Sequence, residues 1–369
     1  MKILEITPYI DPRKGGQEKH VLSLSEILHH LGHDVTILTC DSYSINIEKN
    51  IKLVIMPCIN FLGLRIISMK QLHRFLIKNK FDVCHLHFQT LFGERVLLTN
   101  KLHKLPTVTT LHSQVVRKLP AKFFYDSISL KLISCLSNKV ICLSQNLAQN
   151  IVKRGLELSK CIIIPNAINV PLLKEKFRKM RKKLSEPEFD VLFVGRLEER
   201  KGIRFLLEAF CILHKKGLKY TLRILGRGPL TEELSEYISV NRLSPHVKLL
   251  GYVSENQLLK YYLLTKTVVI PSLYEGVPGV ALEAMAAEKP IIVSNIPGLK
   301  ELVVNGRNGL IMNPRDVEGL ATAIDQILRS PESLNSIKNT NNKLLAKYDW
   351  NIISKKIVKL YQESLFHSD

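Results

Sequence analysis

Twice along this chain, short apolar strands alternate with segments of helical periodicity, and the alternation is broken once by a charged run bounded by prolines. KILEIT (2–7) precedes an amphipathic stretch, QEKHVLSLSEILHHL (17–31), that Gly32 brings to a stop. HDVTILTC, KLVIMP, FDVCHLH, TVTTLH, KVICLS and CIIIP follow as strands, several of them separated by helix-length segments. Such spacing predicts a parallel sheet covered by helices on both faces. PLLKEKFRKMRKKLSEPE (171–188) interrupts the pattern and reads as an interdomain linker. Strands then resume with DVLFVGR, YTLRILG, VKLLG, TVVIPS, KPIIVS and GLIMN. The expected class is α/β, with two Rossmann-like doubly wound domains facing across a cleft. The first spans 1–170, the linker 171–189, the second 190–345, and 346–369 adds a closing helix. A cleft of that kind is a usual place for a substrate.

A length of 369 residues suits two such domains, and 46% hydrophobic residues exclude a largely disordered chain. No stretch approaches the roughly 20 apolar residues that span a bilayer. MKILEITPYI reads as a first strand and not as a signal peptide, because Glu5 interrupts its apolar run. Seven scattered cysteines without a C-x-x-C pair point to reduced thiols in a cytoplasmic protein, with no zinc site. The net charge is +20, and residues 1–170 carry 22 basic against 11 acidic side chains. A basic first half suits an anionic partner: phosphate, nucleic acid or acidic lipid. Nucleic acid is the weakest of these, because the basic residues are dispersed, aromatics are only 7% and no recognition motif appears. Residues 62–80 and 119–136 mix apolar and basic positions at helix-like spacing, as in proteins that rest on an anionic membrane surface without crossing it.

Three places offer phosphate-binding chemistry. Gly15 and Gly16 precede the first helix, where bare backbone and a helix N-terminus favour an anion. The fingerprint is not G-x-G-x-x-G, and nothing argues for a nicotinamide cofactor. In FVGRLEERKG (193–202), Gly195 ends a strand and Arg196 and Lys201 sit in the loop, a pair able to clamp a diphosphate. In LYEGVPGVALEAMAAEKPIIVS (273–294), helix onset near Gly279 offers the amides of Val280, Ala281 and Leu282. Glu283 is expected in that helix's first turn, where a carboxylate suits the dipole and can accept from a ribose diol. Glu275 lies ahead of the helix, on the side where the rest of a nucleotide's cargo would lie. His112 ends TVTTLH at the edge facing the cleft. His85 and His87 alternate on one strand and point the same way. A metal there needs further ligands that the sequence does not identify, so both read as structural or substrate-lining. Asn166 ends the last strand before the linker and can cap or line the cleft.

Gly15-Gly16-x-Glu18, His112, Pro165-Asn166, Gly195-Arg196 with Lys201-Gly202, Gly226-Arg227-Gly228-Pro229 and the Glu275/Glu283 pair occur in that order. Together they resemble the retaining glycosyltransferases of family four, which are similar to glycogen synthase and have the GT-B fold. The resemblance spans nearly the whole chain. It implies transfer of a sugar from a nucleotide-diphosphate donor, with uridine the commoner base, to a cell-surface glycan, lipid-linked oligosaccharide or glycolipid. It assigns the ribose to Glu283, the transferred sugar to Glu275 and His112, and the diphosphate to Arg196 and Lys201. Gly15, Gly16, Gly195 and the amides near Gly279 complete a phosphate cradle, and Asn166 and Val253 join the donor-binding positions. No Asp-x-Asp motif is present, so two cations and two helix ends stand in for a divalent metal and no cofactor is expected. Pro297 and Lys300 in SNIPGLKE, and Glu288 in AAEKP, depart from the family's common residues. A same-fold sugar-nucleotide epimerase or hydrolase is the alternative activity.

Overall fold

The structure, a computed structural model, describes residues 1–11, 15–41, 47–61, 64–87, 91–112, 122–186, 188–330 and 336–366. It divides into two compact units, Met1–Ala167 with Trp350–Asp369, and Ile168–Asp349.

The first unit is built on β1 (Lys2–Thr7), β2 (Asp34–Thr39), β3 (Lys52–Ile55), a hairpin of β4 (Cys58–Phe61) and β5 (Leu64–Ile67), then β6 (Val83–Leu86), β7 (Thr107–Leu111), β8 (Lys139–Cys142) and β9 (Cys161–Ile163). Its main sheet is parallel, in the order β3-β2-β1-β6-β7-β8-β9. Helices α1 (Gly16–His30), α2 (Met69–Lys78), α3 (Leu91–Leu102), α4 (Lys122–Leu136) and α5 (Gln145–Val152) connect the strands. Successive strand residues face opposite sides, so Ile3, Val35 and Val83 join one buried cluster while Leu4, Leu38 and Cys84 join another. Gly32 ends α1 in a left-handed turn (φ +85°): its amide and that of His33 close on the carbonyls of His29 and Leu28.

The second unit repeats the plan with β10 (Phe189–Val194), β11 (Leu222–Leu225), β12 (Val247–Gly251), β13 (Thr265–Ile270), β14 (Ile291–Ser294) and β15 (Gly309–Met312), ordered β12-β11-β10-β13-β14-β15. Its helices are α6 (Val170–Arg181), α7 (Ile203–Lys215), α8 (Thr231–Val240), α9 (Glu255–Leu264), α10 (Gly279–Ala286), α11 (Val317–Arg329) and α12 (Ile337–Leu345). This order, a central strand with the chain winding outward to either side, is that of a Rossmann-like doubly wound sheet, as expected of both halves. The closing helix α13 (Trp350–Phe366) belongs to the first unit, where Trp350, Ile353, Ile357 and Tyr361 are buried.

Residues 171–189 are not a free linker. Most of them form α6, which Asn169 caps by accepting from the amide of Leu172 at 3.1 Å, with Pro171 in the first turn. Val170 and Phe177 are buried in the second unit's core. Proline opens a helix as readily as it breaks one, and the charges of this segment occupy a solvated face. Pro187 lies outside the described residues. Where the chain enters and leaves this unit, Ile168 donates to Tyr348 and Val170 to Asp349, each at 3.0 Å. Residues 62–80 also differ from a single helix: Leu64–Ile67 is a hairpin strand, α2 follows, and residues 62–63 are outside the described set. Of 119–136, Lys122–Leu136 is helical and 119–121 are outside it. Among the described residues no helix is long and apolar enough to cross a membrane.

Candidate functional site

In the second sheet the winding reverses between β10 and β13, and open α/β sheets commonly bind ligands outside the C-terminal ends of the strands at such a point. The β10 loop carries Gly195, Arg196 and Lys201, and the β13 loop carries Glu275 and leads into α10. Backbone contact holds the two loops together. Gly202 caps α7 in a left-handed conformation (φ +67°), and a Cβ there would stand 1.9 Å from the carbonyl oxygen of Pro271. Glycine is therefore demanded by the approach itself. Leu273 donates across the same seam to the carbonyl of Arg200 at 2.8 Å.

That seam sets the chemistry. Lys201 is ion-paired with Glu275, whose Oε1 also accepts from the Ser272 hydroxyl at 3.2 Å. Glu275 is buried, and the Lys201 side chain is only 18% exposed. A buried carboxylate needs this kind of compensation. Arg196 instead reaches into solvent, 3.7 Å from Glu198. Gly195 is half-buried, and Val253, in the loop after β12, packs on the core.

Helix α10 begins at Gly279, so Glu283 is its fifth residue and stands in the second turn, not the first. The dipole's influence has largely faded by then, and Glu283 is held by a partner: the Tyr262 hydroxyl of α9 donates to it at 2.8 Å. Burial raises the Tyr262 pKa well above the ordinary phenol value, helped by Glu283, which keeps the group a donor. Among the three amides expected at this helix end, that of Ala281 is taken by the Pro278 carbonyl at 3.1 Å. Val280 is half-buried, and Ala281 and Leu282 are buried.

In the first unit, the sheet order reverses between β1 and β6. Gly15 caps α1 in extended conformation, and Gly16 opens it. A Cβ on Gly16 would meet no atom within 4 Å, and the same holds for Gly279. Unlike Gly202, these two glycines answer no internal packing demand among the described residues. His112, immediately after β7, places Nε2 3.3 Å from Nδ1 of His87. Burial, then the nearby His20 and His87, pull its pKa well below the usual value, which favours the neutral imidazole. Asn166, past β9, lies beside His20 and favours that ring's protonation, against a larger effect of burial.

Sequence reasoning missed Tyr262, Ser272 and His20. Ser272 stands three residues before Glu275, a spacing that sequence shows. Tyr262 comes from another helix, and only the packing of α9 on α10 brings it in.

The family described as Glycosyl transferases group 1 matches residues 175–344, and Glycosyltransferase Family 4 matches residues 14–171. An uncharacterised glycosyltransferase of Methanocaldococcus jannaschii is 30% identical over 387 residues, covering 98% of each chain. The alpha-monoglucosyldiacylglycerol synthase of Acholeplasma laidlawii is 27% identical, covering 95% of this chain and 94% of that one. The crystal structure of Anabaena HepE in complex with UDP-glucose superposes with a TM-score of 0.80 at 19% identity, covering 98% of this chain and all of the other.

Proposed function

The chain belongs to the group 1 glycosyltransferases of family four and has their GT-B fold, and from that membership we propose that it transfers a sugar, with retention, from a UDP-sugar to a glycan, lipid-linked oligosaccharide or glycolipid. The observation that carries this reading is Lys201 held against buried Glu275 where the second sheet reverses. An ammonium has three donors, so Lys201 can keep Glu275 in place and still reach a diphosphate. Arg196, extended and planar, is the natural second contact.

In the proposed reaction the bond between the anomeric carbon and the diphosphate oxygen breaks, and its electron pair stays on the diphosphate. An acceptor hydroxyl adds to that carbon on the face the diphosphate leaves, and its proton is released. Lys201 and Arg196 meet the charge that grows on the leaving group, and preorganised charge of this kind lowers the barrier more than it strengthens ground-state binding. Glu283 holds the ribose, Glu275 orients the transferred sugar, and neutral His112 hydrogen-bonds one of its hydroxyls. The N-terminal end of α10 receives the phosphates. Two cations suffice for the leaving group, so the transfer is proposed to need no metal. The UDP-glucose complex of HepE and the glycolipid named for the A. laidlawii relative support the donor and acceptor classes.

Association with an anionic membrane surface is a further part of this reading. Helix α2 buries Leu72 and Leu76 and leaves Ile77 61% exposed among Lys70, Arg74 and Lys78.

The test is thermal unfolding against a panel of nucleotide sugars, because a bound donor stabilises by RT ln(1 + [L]/Kd), about 2.7 kcal/mol at 100 Kd. Sugar transfer is then followed by NMR of the product's anomeric configuration, with and without chelator. Retention in both arms supports the proposal. Inversion, epimerised nucleotide sugar alone, or loss of transfer with chelator contradicts it.

A further inference from the structure

Glu5 on β1, His20 on α1, His87 after β6 and His112 after β7 come together in the first unit. The candidate ligand atoms of His20, His87 and His112 all lie within 4.8 Å of one another. No pair of these residues is close in sequence, so the cluster exists only once the parallel sheet has formed. It supplies what His85 and His87 lacked when read along one strand.

Four features set this cluster apart from a set of structural imidazoles. His87 is bonded through Nε2 to the Glu5 carboxylate, which turns Nδ1 toward His112. The 3.3 Å between that Nδ1 and Nε2 of His112 is long for a hydrogen bond. It matches the edge of a tetrahedron whose corners lie roughly 2.0–2.1 Å from a central ion. His20 is 7% exposed and its ring stands 4.9 Å from that of His112; Asn166 lies beside it, but neither ring nitrogen makes a hydrogen bond of good geometry. A buried polar group left in that state is destabilising. Glu5 is fully buried, and its ion-pair partners are His85 and His87, with no Lys or Arg among the described residues. His85 is not available as a ligand: Tyr361 occupies Nδ1 at 2.6 Å and Thr110 occupies Nε2 at 2.7 Å.

We propose that His20, His87 and His112 form a binding site for a divalent transition-metal cation of the zinc class, with Glu5 as the outer carboxylate that orients His87. Carboxylate–histidine–metal chains of this kind fix the ring and raise its basicity. Three imidazoles favour zinc, cobalt or copper over magnesium and calcium, which take oxygen ligands. A bound cation also answers the buried charge of Glu5. Its fourth position is free for water or an anion.

The consequence for the enzyme follows from His112. An imidazole nitrogen that ligates a metal is withdrawn from the sugar, so zinc acts as an inhibitor of a transfer that needs no metal. This consequence rests on the role proposed for His112, whereas metal binding does not.

The experiment uses the full chain stripped of metal and titrated with Co²⁺, followed by visible absorption. One cobalt per chain, with the intense bands of tetrahedral nitrogen ligation and displacement by Zn²⁺ but not Mg²⁺, is the expected result. His20→Ala and, as a second variant at the half-buried edge, His112→Ala should abolish those bands. Glu5→Gln should weaken affinity about 10–100-fold, as loss of an outer partner does. His73→Ala, which removes one of a surface pair of imidazoles 2.8 Å apart, should change nothing, and circular dichroism verifies the fold of each variant. No saturable cobalt binding, a pale six-coordinate spectrum, or bands that survive His20→Ala and His112→Ala would overturn the proposal. Since the readout is spectroscopic, it stands or falls separately from sugar transfer.

Discussion

The Tyr262 hydroxyl donates a 2.8 Å hydrogen bond to Oε2 of Glu283, tying α9 to α10. Tyr262→Phe keeps the ring's packing and removes only the donor. A hydrogen bond to a charged group is worth about 1.5–3 kcal/mol. Part of that should appear as about a 10-fold rise in the dissociation constant for UDP, measured by titration calorimetry. Because the ribose contact is the same before and during reaction, kcat should change little. An unchanged UDP affinity would leave Glu283 without the anchoring assigned to it.

The glycines separate into two kinds with opposite expected outcomes. Gly202→Ala forces a Cβ against the Pro271 carbonyl at φ +67°. Left-handed strain of about 1–2 kcal/mol and overpacking of about 1–3 kcal/mol should lower stability clearly in urea unfolding. Gly16→Ala meets open space and should unfold at the wild-type midpoint. Equal stability of both variants would contradict the division.

Glu288 is a residue whose cost can be measured directly. It follows α10 with φ +60°, in the position where helices commonly end on glycine, and its amide closes on Met285. Its ion pairs with Arg181 and Lys338, at 3.5 and 3.6 Å, involve exposed cations worth little. Glu288→Gly should therefore stabilise the protein by about 1 kcal/mol in chemical denaturation. A loss of stability would mean that the ion pairs outweigh the strain.

The doubly wound sheets were legible because strand and helix periods alternate in the sequence, and a parallel sheet then brings every strand's C-terminal end to one edge. Arg196, Lys201 and Glu275 can be assigned to the loops at that edge for the same reason. Glu283 falls one turn later than expected although the onset near Gly279 is as read, because the fifth residue of a helix already lies beyond the 3.6 residues of its first turn. Most of the charged run 171–188 is helix and not linker, because a proline that opens a helix looks the same in sequence as one that ends it. Tyr262 and His20 were not legible at all, since each acts on a residue of a different element and no spacing rule links them.

For the membrane contact, sedimentation with vesicles gives the answer. The protein should prefer anionic over neutral vesicles at low salt. Arg74→Glu with Lys78→Glu should reduce that preference by at least about 2 kcal/mol, roughly 30-fold, given about 1 kcal/mol per basic residue near an acidic leaflet. Equal sedimentation with both vesicle types would remove the membrane from the account.

The central claim is that Lys201 and Arg196 carry the charge leaving on the diphosphate, and steady-state kinetics of Lys201→Ala test it most directly. The account predicts a fall in kcat of about 10²–10³, or about 3–4 kcal/mol, by analogy with loss of one oxyanion-stabilising donor. Arg196→Lys should also be impaired, since a point charge replaces a planar fork. Glu283→Ala should act mainly on the KM for donor. A natively folded Lys201→Ala enzyme with wild-type kcat would contradict the claim.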